Sequence, residues 1–286
     1  MKKILLTISI ALISIMTAQS QDFEKATSLA KEANEKLVNG DAQAAAEGFT
    51  AALAEAQQCS DEGAAELIAN CKKGLVQAHW SRANNAVKEG DFSLALEAIG
   101  TTINAAGQYE EAEIAEKAAT LKTEVHQAYA NAELKAASAE KDAAAKKTHF
   151  EAAAAQLDSV LVNSSDGKVL LQRGQVAGGL GNKEDAIKYF TMAKEAGEAK
   201  ADAQLSKIYL KEAQALLKAG KSEAAIASAS KSVSFEESAN AYFIIGNAYR
   251  ALGKKADAVT SYEKFLKLDP NNKNAAAVKQ VIEALK

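Results

Sequence analysis

A glycine followed by a polar residue, with an alanine five positions after the glycine, recurs along this chain. It stands at Gly40-Asp41 with Ala45, Gly90-Asp91 with Ala95, Gly181-Asn182 with Ala186, Gly220-Lys221 with Ala225, and Gly253-Lys254 with Ala258. Glycine suits the left-handed residue that ends a helix, and Asp or Asn suits the N-cap that opens the next one. The pattern therefore predicts helices joined in pairs by tight turns. A degenerate copy is Lys141-Asp142, where Lys146 takes the alanine's place and Ala145 comes one position early. Counting that copy, successive turns are 50, 51, 40, 39 and 33 residues apart. Pro270 is the only proline in 286 residues, so little interrupts long helices. Frequent Ala, Glu, Lys and Leu favour helix, and beyond the N-terminal segment no alternating β-branched run predicts a sheet.

These stops predict helices over 23–39, 41–58, 61–89, 92–105, 109–140, 142–162, 167–180, 183–196, 200–219, 222–233, 238–252 and 255–268. The surplus of the longer intervals is assigned to lengthened first helices. Residues 61–89 and 108–140 contain no proline and keep an apolar pattern (Leu67, Cys71, Leu75, Ala78; Leu121, Val125, Ala128, Tyr129, Ala132). A competing architecture makes 108–162 an antiparallel coiled coil or a separate long hairpin. After Pro270, Val278, Val281, Ile282 and Leu285 form one stripe over 274–286, which predicts a capping helix on the last hairpin.

Residues 238–272 show the unit most clearly. Tyr242, Ile245, Tyr249 and Leu252 make one apolar stripe, and Val259, Tyr262, Phe265, Leu266 and Leu268 make another, with Gly253 between them. Gly246 and Ala258 are small where paired helices come close, and Pro270 lies just beyond the second helix. This stretch resembles a tetratricopeptide (TPR) repeat, whose aromatic, Leu, Gly, Tyr, Ala, Phe and Pro sites appear as Tyr242, Ile245, Gly246, Tyr249, Ala258, Tyr262 and Pro270. The resemblance implies an all-α fold, a right-handed α-solenoid of about six helix hairpins, with lengthened helices in the N-terminal half and a C-terminal capping helix. Only the last interval is close to the family's repeat of about 34 residues. The expected division is thus 1–20, 21–166 as a divergent long-helix array, and 167–286 as TPR-like repeats.

Residues 1–20 read as an export signal: Lys2 and Lys3 precede an apolar run from Ile4 to Met16, and Ala18-Gln19-Ser20 has the small-x-small form of a cleavage site. Export to the periplasm or cell envelope is expected, with Gln21 leading a mature chain that holds no transmembrane span. Losing Lys2 and Lys3 takes the formal charge from −3 to −5, a mild acidity without the clustered basic face that nucleic acid requires.

Nothing nominates an active site. His79, His126 and His149 stand apart from one another and from the cysteines, so zinc-ligand spacing is absent. Gly178-Gly179-Leu180-Gly181 closes a helix and does not open one after a strand, so it is not a phosphate loop. No enzyme activity, cofactor or metal is expected. The expected function is a non-catalytic protein-interaction scaffold of the bacterial envelope. The alternatives are a structural or self-assembling envelope component, which would be a homo-oligomer, and, behind it, an enzyme or small-ligand binder with a site outside known motifs.

The family's groove-facing positions, carried over with Gly174, Ala213 and Gly246 as the small-residue site, fall on Lys168, Leu171 and Gln175; Lys207, Leu210, Gln214 and Leu217; and Asn240, Phe243, Asn247 and Arg250. They predict an apolar row of Leu171, Leu210 and Phe243 flanked by amides and cations, suited to a peptide with apolar anchors and an acidic group. Leu171 and Leu210 stand where a carboxylate-clamp lysine could be, so the resemblance extends to peptide binding and not to clamp chemistry. Trp80, the only tryptophan, has two readings: an aromatic packed between hairpins, or a second anchor for a partner. Cys59 and Cys71 flank a turn at 60–63, and in an oxidising compartment a disulfide between them is expected, although Cys71 lies about one helical turn too far along. Two buried thiols are the alternative.

Overall fold

The structure, a computed structural model, describes residues 21–286. The predicted export segment lies outside them. Thirteen helices make up the described residues, with no strand among them: α1 (Gln21–Val38), α2 (Ala42–Ala56), α3 (Ala64–Glu89), α4 (Phe92–Gln108), α5 (Ala112–Ala139), α6 (Ala143–Leu161), α7 (Gly167–Gly179), α8 (Lys183–Glu195), α9 (Lys200–Lys218), α10 (Ser222–Phe235), α11 (Ala239–Ala251), α12 (Lys255–Leu268) and α13 (Ala275–Leu285). The lengthened first helices are present, at 26 residues for α3 and 28 for α5 against 13 for α11.

The recurrent turn has one physical form. At Gly253 the backbone takes φ +73°, and the N–H of the next residue, Lys254, reaches back to Tyr249 O at 3.0 Å. This is the Schellman arrangement, which satisfies carbonyls a helix end leaves open and which a side chain at the glycine would strain. Gly40, Gly90, Gly181 and Gly220 repeat it. The polar residue after the glycine then opens the next helix: Asp41, Asp91 and Asn182 accept from the N–H groups of Ala44, Leu94 and Asp185. Lys221 and Lys254 occupy the same position without a side-chain cap. At Lys141-Asp142 a carboxylate replaces the glycine's role: Glu140 Oε1 accepts from Lys141 N at 2.7 Å and Asp142 N at 2.8 Å, and Asp142 caps Ala145. Between α4 and α5 the left-handed residue is Glu110, at φ 61°.

The described residues divide into two compact units, with the boundary between Tyr129 and Ala130. The boundary falls inside α5, because the two halves of that helix feed different cores. Ile114, Ala118 and Val125 are buried with residues of α3 and α4, whereas Ala130 is buried with Ala153, Ala154 and Leu157 of α6 and Val169 and Val176 of α7. Since each half of α5 shares its core with a neighbouring hairpin, 108–162 is not a separate coiled coil.

In the first unit α1 packs on α2, α2 on α3, and α3 on α4. Its interior is built largely from alanine, including Ala26, Ala30, Ala33, Ala45, Ala52 and Ala56, around a few large side chains such as Phe49 and Ile99. In the second unit α7/α8, α9/α10 and α11/α12 form successive hairpins, each stacked on the next. Small residues set their spacing: a Cβ at Gly174 would lie 2.6 Å from the Phe190 ring, and one at Gly246 would lie 2.6 Å from the Tyr262 ring. The terminal helix α13 buries Val278 and Ile282 against Tyr262 and Phe265, with Val281 and Leu285 packed beside them, so the apolar stripe acts as the expected cap. Each unit is an all-α stack of repeated hairpins.

Candidate partner-binding surfaces

Side chains that face outward from one element after another are where a stack of hairpins can read a partner, and the first helices α7, α9 and α11 supply three such sets. Lys168, Lys207 and Asn240 occupy equivalent positions and all three are exposed, as are Gln175 and Gln214 seven residues further on. Their counterpart Asn247 is half-buried, because its Oδ1 accepts from the Tyr262 hydroxyl at 2.8 Å. Arg250, at the end of α11, is exposed. Lys168, Lys207 and Arg250 make no salt bridge among the described residues, while other cations of the unit are taken up: Lys183 pairs with Glu212, and Lys194 with Asp202. The Lys183 partnership lowers the Glu212 carboxyl below its ordinary range, chiefly through their hydrogen bond.

The apolar row between them is only partly displayed, with Leu171 buried and Leu210, Leu217 and Phe243 half-buried. Leu171 is 7% exposed and lies in the core with Leu170, Phe190 and Leu205. Leu210 and Leu217 pack against Ala213, Ala229, Ile244 and Ile245. Phe243 stacks at a tilt on Phe265 and Tyr262, with ring centroids 5.3 and 6.4 Å away. These positions fall on the helix face that approaches the neighbouring helix, so burial claims their apolar side chains. The fully exposed members of the set are polar or basic.

Arg173, which the sequence did not single out, ties α6, α7 and α8 together. Its Nε and Nη2 donate to the two carboxylate oxygens of Asp158 at 2.7 and 3.1 Å, and its guanidinium lies 4.7 Å from the centre of the Tyr189 ring. A planar fork matches a carboxylate and stacks on an aromatic face at the same time, which no other side chain does. Charge alternation along one helix gives no sign of such a partnership across three.

In the first unit Trp80 is half-buried. It packs against the cores that hold Ala83, Ile99 and Val125 and that hold Val76, Ala106 and Ile114. It also lines a cleft of about 520 Å3 between α3 and α5, with Asn84 on its own helix and Glu113, Glu116, Lys117, Leu121 and Glu124 opposite. The α5 residues recur at helical spacing along one stripe, a pattern visible in the sequence, but only the register between α3 and α5 brings it to Trp80. Next to Trp80, burial and the nearby Arg82 hold the His79 imidazole below its ordinary value. Among the described residues no group of three or more His, Cys, Asp or Glu converges on a metal position. No helix among them is long and apolar enough to cross a membrane.

The disulfide expected between Cys59 and Cys71 is not formed. Both side chains join the core under the α2–α3 turn, where Cys71 is fully buried, and Cys59 Sγ donates to Glu55 O at 3.3 Å. With α3 starting at Ala64, Cys71 sits two turns into the helix, past the level that Cys59 faces. Burial raises the Cys71 thiol from 9.0 to about 11.

The tetratricopeptide repeat family model matches residues 239–272. No curated protein matches the chain. Among solved structures the chain is similar to the MamA protein, at 18% identity over 70% of this chain and 94% of that one, with a TM-score of 0.35. It is similar to the C-terminal part of a TPR repeat-containing protein from Cytophaga hutchinsonii, at 16% identity over 90% and 98%, with a TM-score of 0.37. It is also similar to YrrB, described as a TPR protein with an unusual peptide-binding site, at 17% identity over 82% and 99%, with a TM-score of 0.30. Residues 239–272, matched as a repeat, are built as the paired helices α11 and α12 with Pro270 beyond them, so this stretch of the chain is a tetratricopeptide repeat.

Proposed function

We propose that this chain is a protein-interaction scaffold of the bacterial cell envelope, which holds a peptide or protein partner on the first helices of its stacked hairpins. The observation that carries this reading is the set of exposed cations Lys168, Lys207 and Arg250 on α7, α9 and α11, which make no salt bridge among the described residues while neighbouring lysines are paired. Amides at Gln175, Gln214 and Asn240 stand among them and add donors and acceptors. A partner segment bearing carboxylates fits such a surface, with charge favouring encounter and hydrogen bonds fixing register. Export is supported by the charged and apolar pattern of 1–20, and the family resemblance supports a binding role over catalysis.

The test is affinity capture from envelope extract with the chain beginning at Gln21, compared with a Lys168→Glu, Lys207→Glu, Arg250→Glu variant. The reading expects a partner retained by the parent chain and lost from the variant at unchanged helicity. The same partner retained equally by both removes this surface from the function. Intact mass of the envelope-fraction protein tests the address, since a chain that keeps Met1–Ser20 contradicts cleavage.

A further inference from the structure

The chain covers five of its seven tyrosine rings, and one phenylalanine, with its own cations. Lysine or arginine stands over Tyr109, Tyr189, Tyr209, Phe235, Tyr242 and Tyr249 at 4.7 to 5.9 Å. Tryptophan is the best aromatic acceptor for a cation, yet among the described residues Trp80 has none over it. Around its open side the charge runs the other way. Glu113 and Lys117 pair with each other one turn apart on α5, which leaves Glu116 and Glu124 exposed and without a salt bridge among the described residues. Asn84 Nδ2 donates to Trp80 O at 2.7 Å, so its side-chain oxygen faces no demand from that bond. Leu121, half-buried, adds an apolar wall. The cleft of about 520 Å3 lies within the range of sites that enclose a ligand group.

We infer that the cleft between α3 and α5 is a docking site for a basic segment of a partner protein, taking one arginine or lysine side chain between the Trp80 ring and the Glu116 and Glu124 carboxylates. The methylene stem of that side chain lies along Leu121, while its charged end meets the ring face and the two carboxylates. An acidic segment is repelled here, which distinguishes this site from the cationic surface on α7, α9 and α11. The proposal rests on the scaffold reading and names the chemistry of a second contact.

Trp80 is the only tryptophan in the sequence, so its fluorescence reports this cleft alone. The experiment titrates the chain beginning at Gln21 with a hexa-arginine peptide at low salt, alongside hexa-glutamate and a Gly-Ser peptide of equal length. A saturable change in Trp80 emission is expected with hexa-arginine alone, fading as salt is raised. Anisotropy of labelled hexa-arginine follows variants that alter the fluorophore. Glu116→Gln with Glu124→Gln weakens binding about tenfold and Trp80→Phe weakens it several-fold, whereas Glu236→Gln with Glu237→Gln, in the other unit, leaves it unchanged. Absence of a saturable change, or equal affinity in the Glu116 and Glu124 variant, overturns the assignment. Partner capture that depends on Lys168, Lys207 and Arg250 would then still stand, so the two readings fail separately.

Discussion

The Tyr262 hydroxyl donates to Asn247 Oδ1 at 2.8 Å from α12 to α11, while the Tyr262 ring lies against Gly246, the residue beside Asn247. One side chain therefore fixes both the spacing and the register of the last hairpin. Tyr262→Phe is expected to cost about 1 kcal/mol by leaving Asn247 without its donor. Gly246→Ala is expected to cost about 1–3 kcal/mol, because the new methyl must displace a fully buried ring. Urea denaturation followed by circular dichroism measures both. A Gly246→Ala midpoint equal to that of the parent chain would show that the two helices can separate freely.

Glu110 holds φ 61° at a turn where the equivalent turns use glycine. A left-handed conformation costs a residue with a Cβ roughly 1–2 kcal/mol, so Glu110→Gly should raise stability, by about 1 kcal/mol after the added freedom of the unfolded glycine is counted. A higher thermal midpoint checks it, and a lowered one would mean that the Glu110 side chain contributes more than its backbone costs.

Replacing Arg173 by lysine keeps the charge and loses the fork. The bidentate contact with Asp158 and the stacking on Tyr189 both go, for an expected loss of about 1 kcal/mol, kept small because half of the Asp158 side chain faces solvent. Arg173→Lys and Asp158→Asn combined in a double-mutant cycle isolate the pair, and strict additivity would show that they do not interact.

Alkaline pH should weaken the fold. Burial raises the Cys71 thiol to about 11 and pushes the Tyr189 and Tyr262 phenols above their ordinary value. In the unfolded chain the thiol ionises near 9.0, so between there and about 11 the unfolded state binds fewer protons than the folded one and stability falls as pH rises. The contribution is complete below the unfolded value and lost through the folded one. Denaturation midpoints taken across this window should slope downward, and Cys71→Ala should make the slope shallower. A slope the same in both would assign the effect to the tyrosines.

The helices were legible in the sequence because each end carries its own chemistry: Gly90 with Asp91, or Gly253 with Lys254, marks a stop and a start whatever surrounds it. Length was legible too, since no proline divides 61–89. The division inside α5 was not, because Val125 and Ala130 are both small apolar residues and nothing local says which core each joins. For the candidate sites, the position of Lys168, Lys207 and Arg250 along their helices followed from the repeat, but the depth of Leu171 and Phe243 did not. A shift of a single residue around the helix separates a groove floor from a core. The partnership of Trp80 with Glu116 and Glu124 depends on how two long helices slide past one another, which periodicity within either cannot specify.

The alanine interior of the first unit has a consequence for how that unit tolerates change. A buried alanine gives up almost no rotamer freedom on folding, but it also contributes little by being removed from water. Trimming such a core is hardly possible, since most of its side chains are already one carbon long. Enlarging it is another matter: Ala30, Ala45 and Ala52 are at most 2% exposed, and each added methylene has to push whole helices apart. The unit is thus fragile toward growth and indifferent to loss, the reverse of a core packed with leucine. A random substitution there harms it mainly through bulk, so its permissible sequences stay crowded around the smallest side chains.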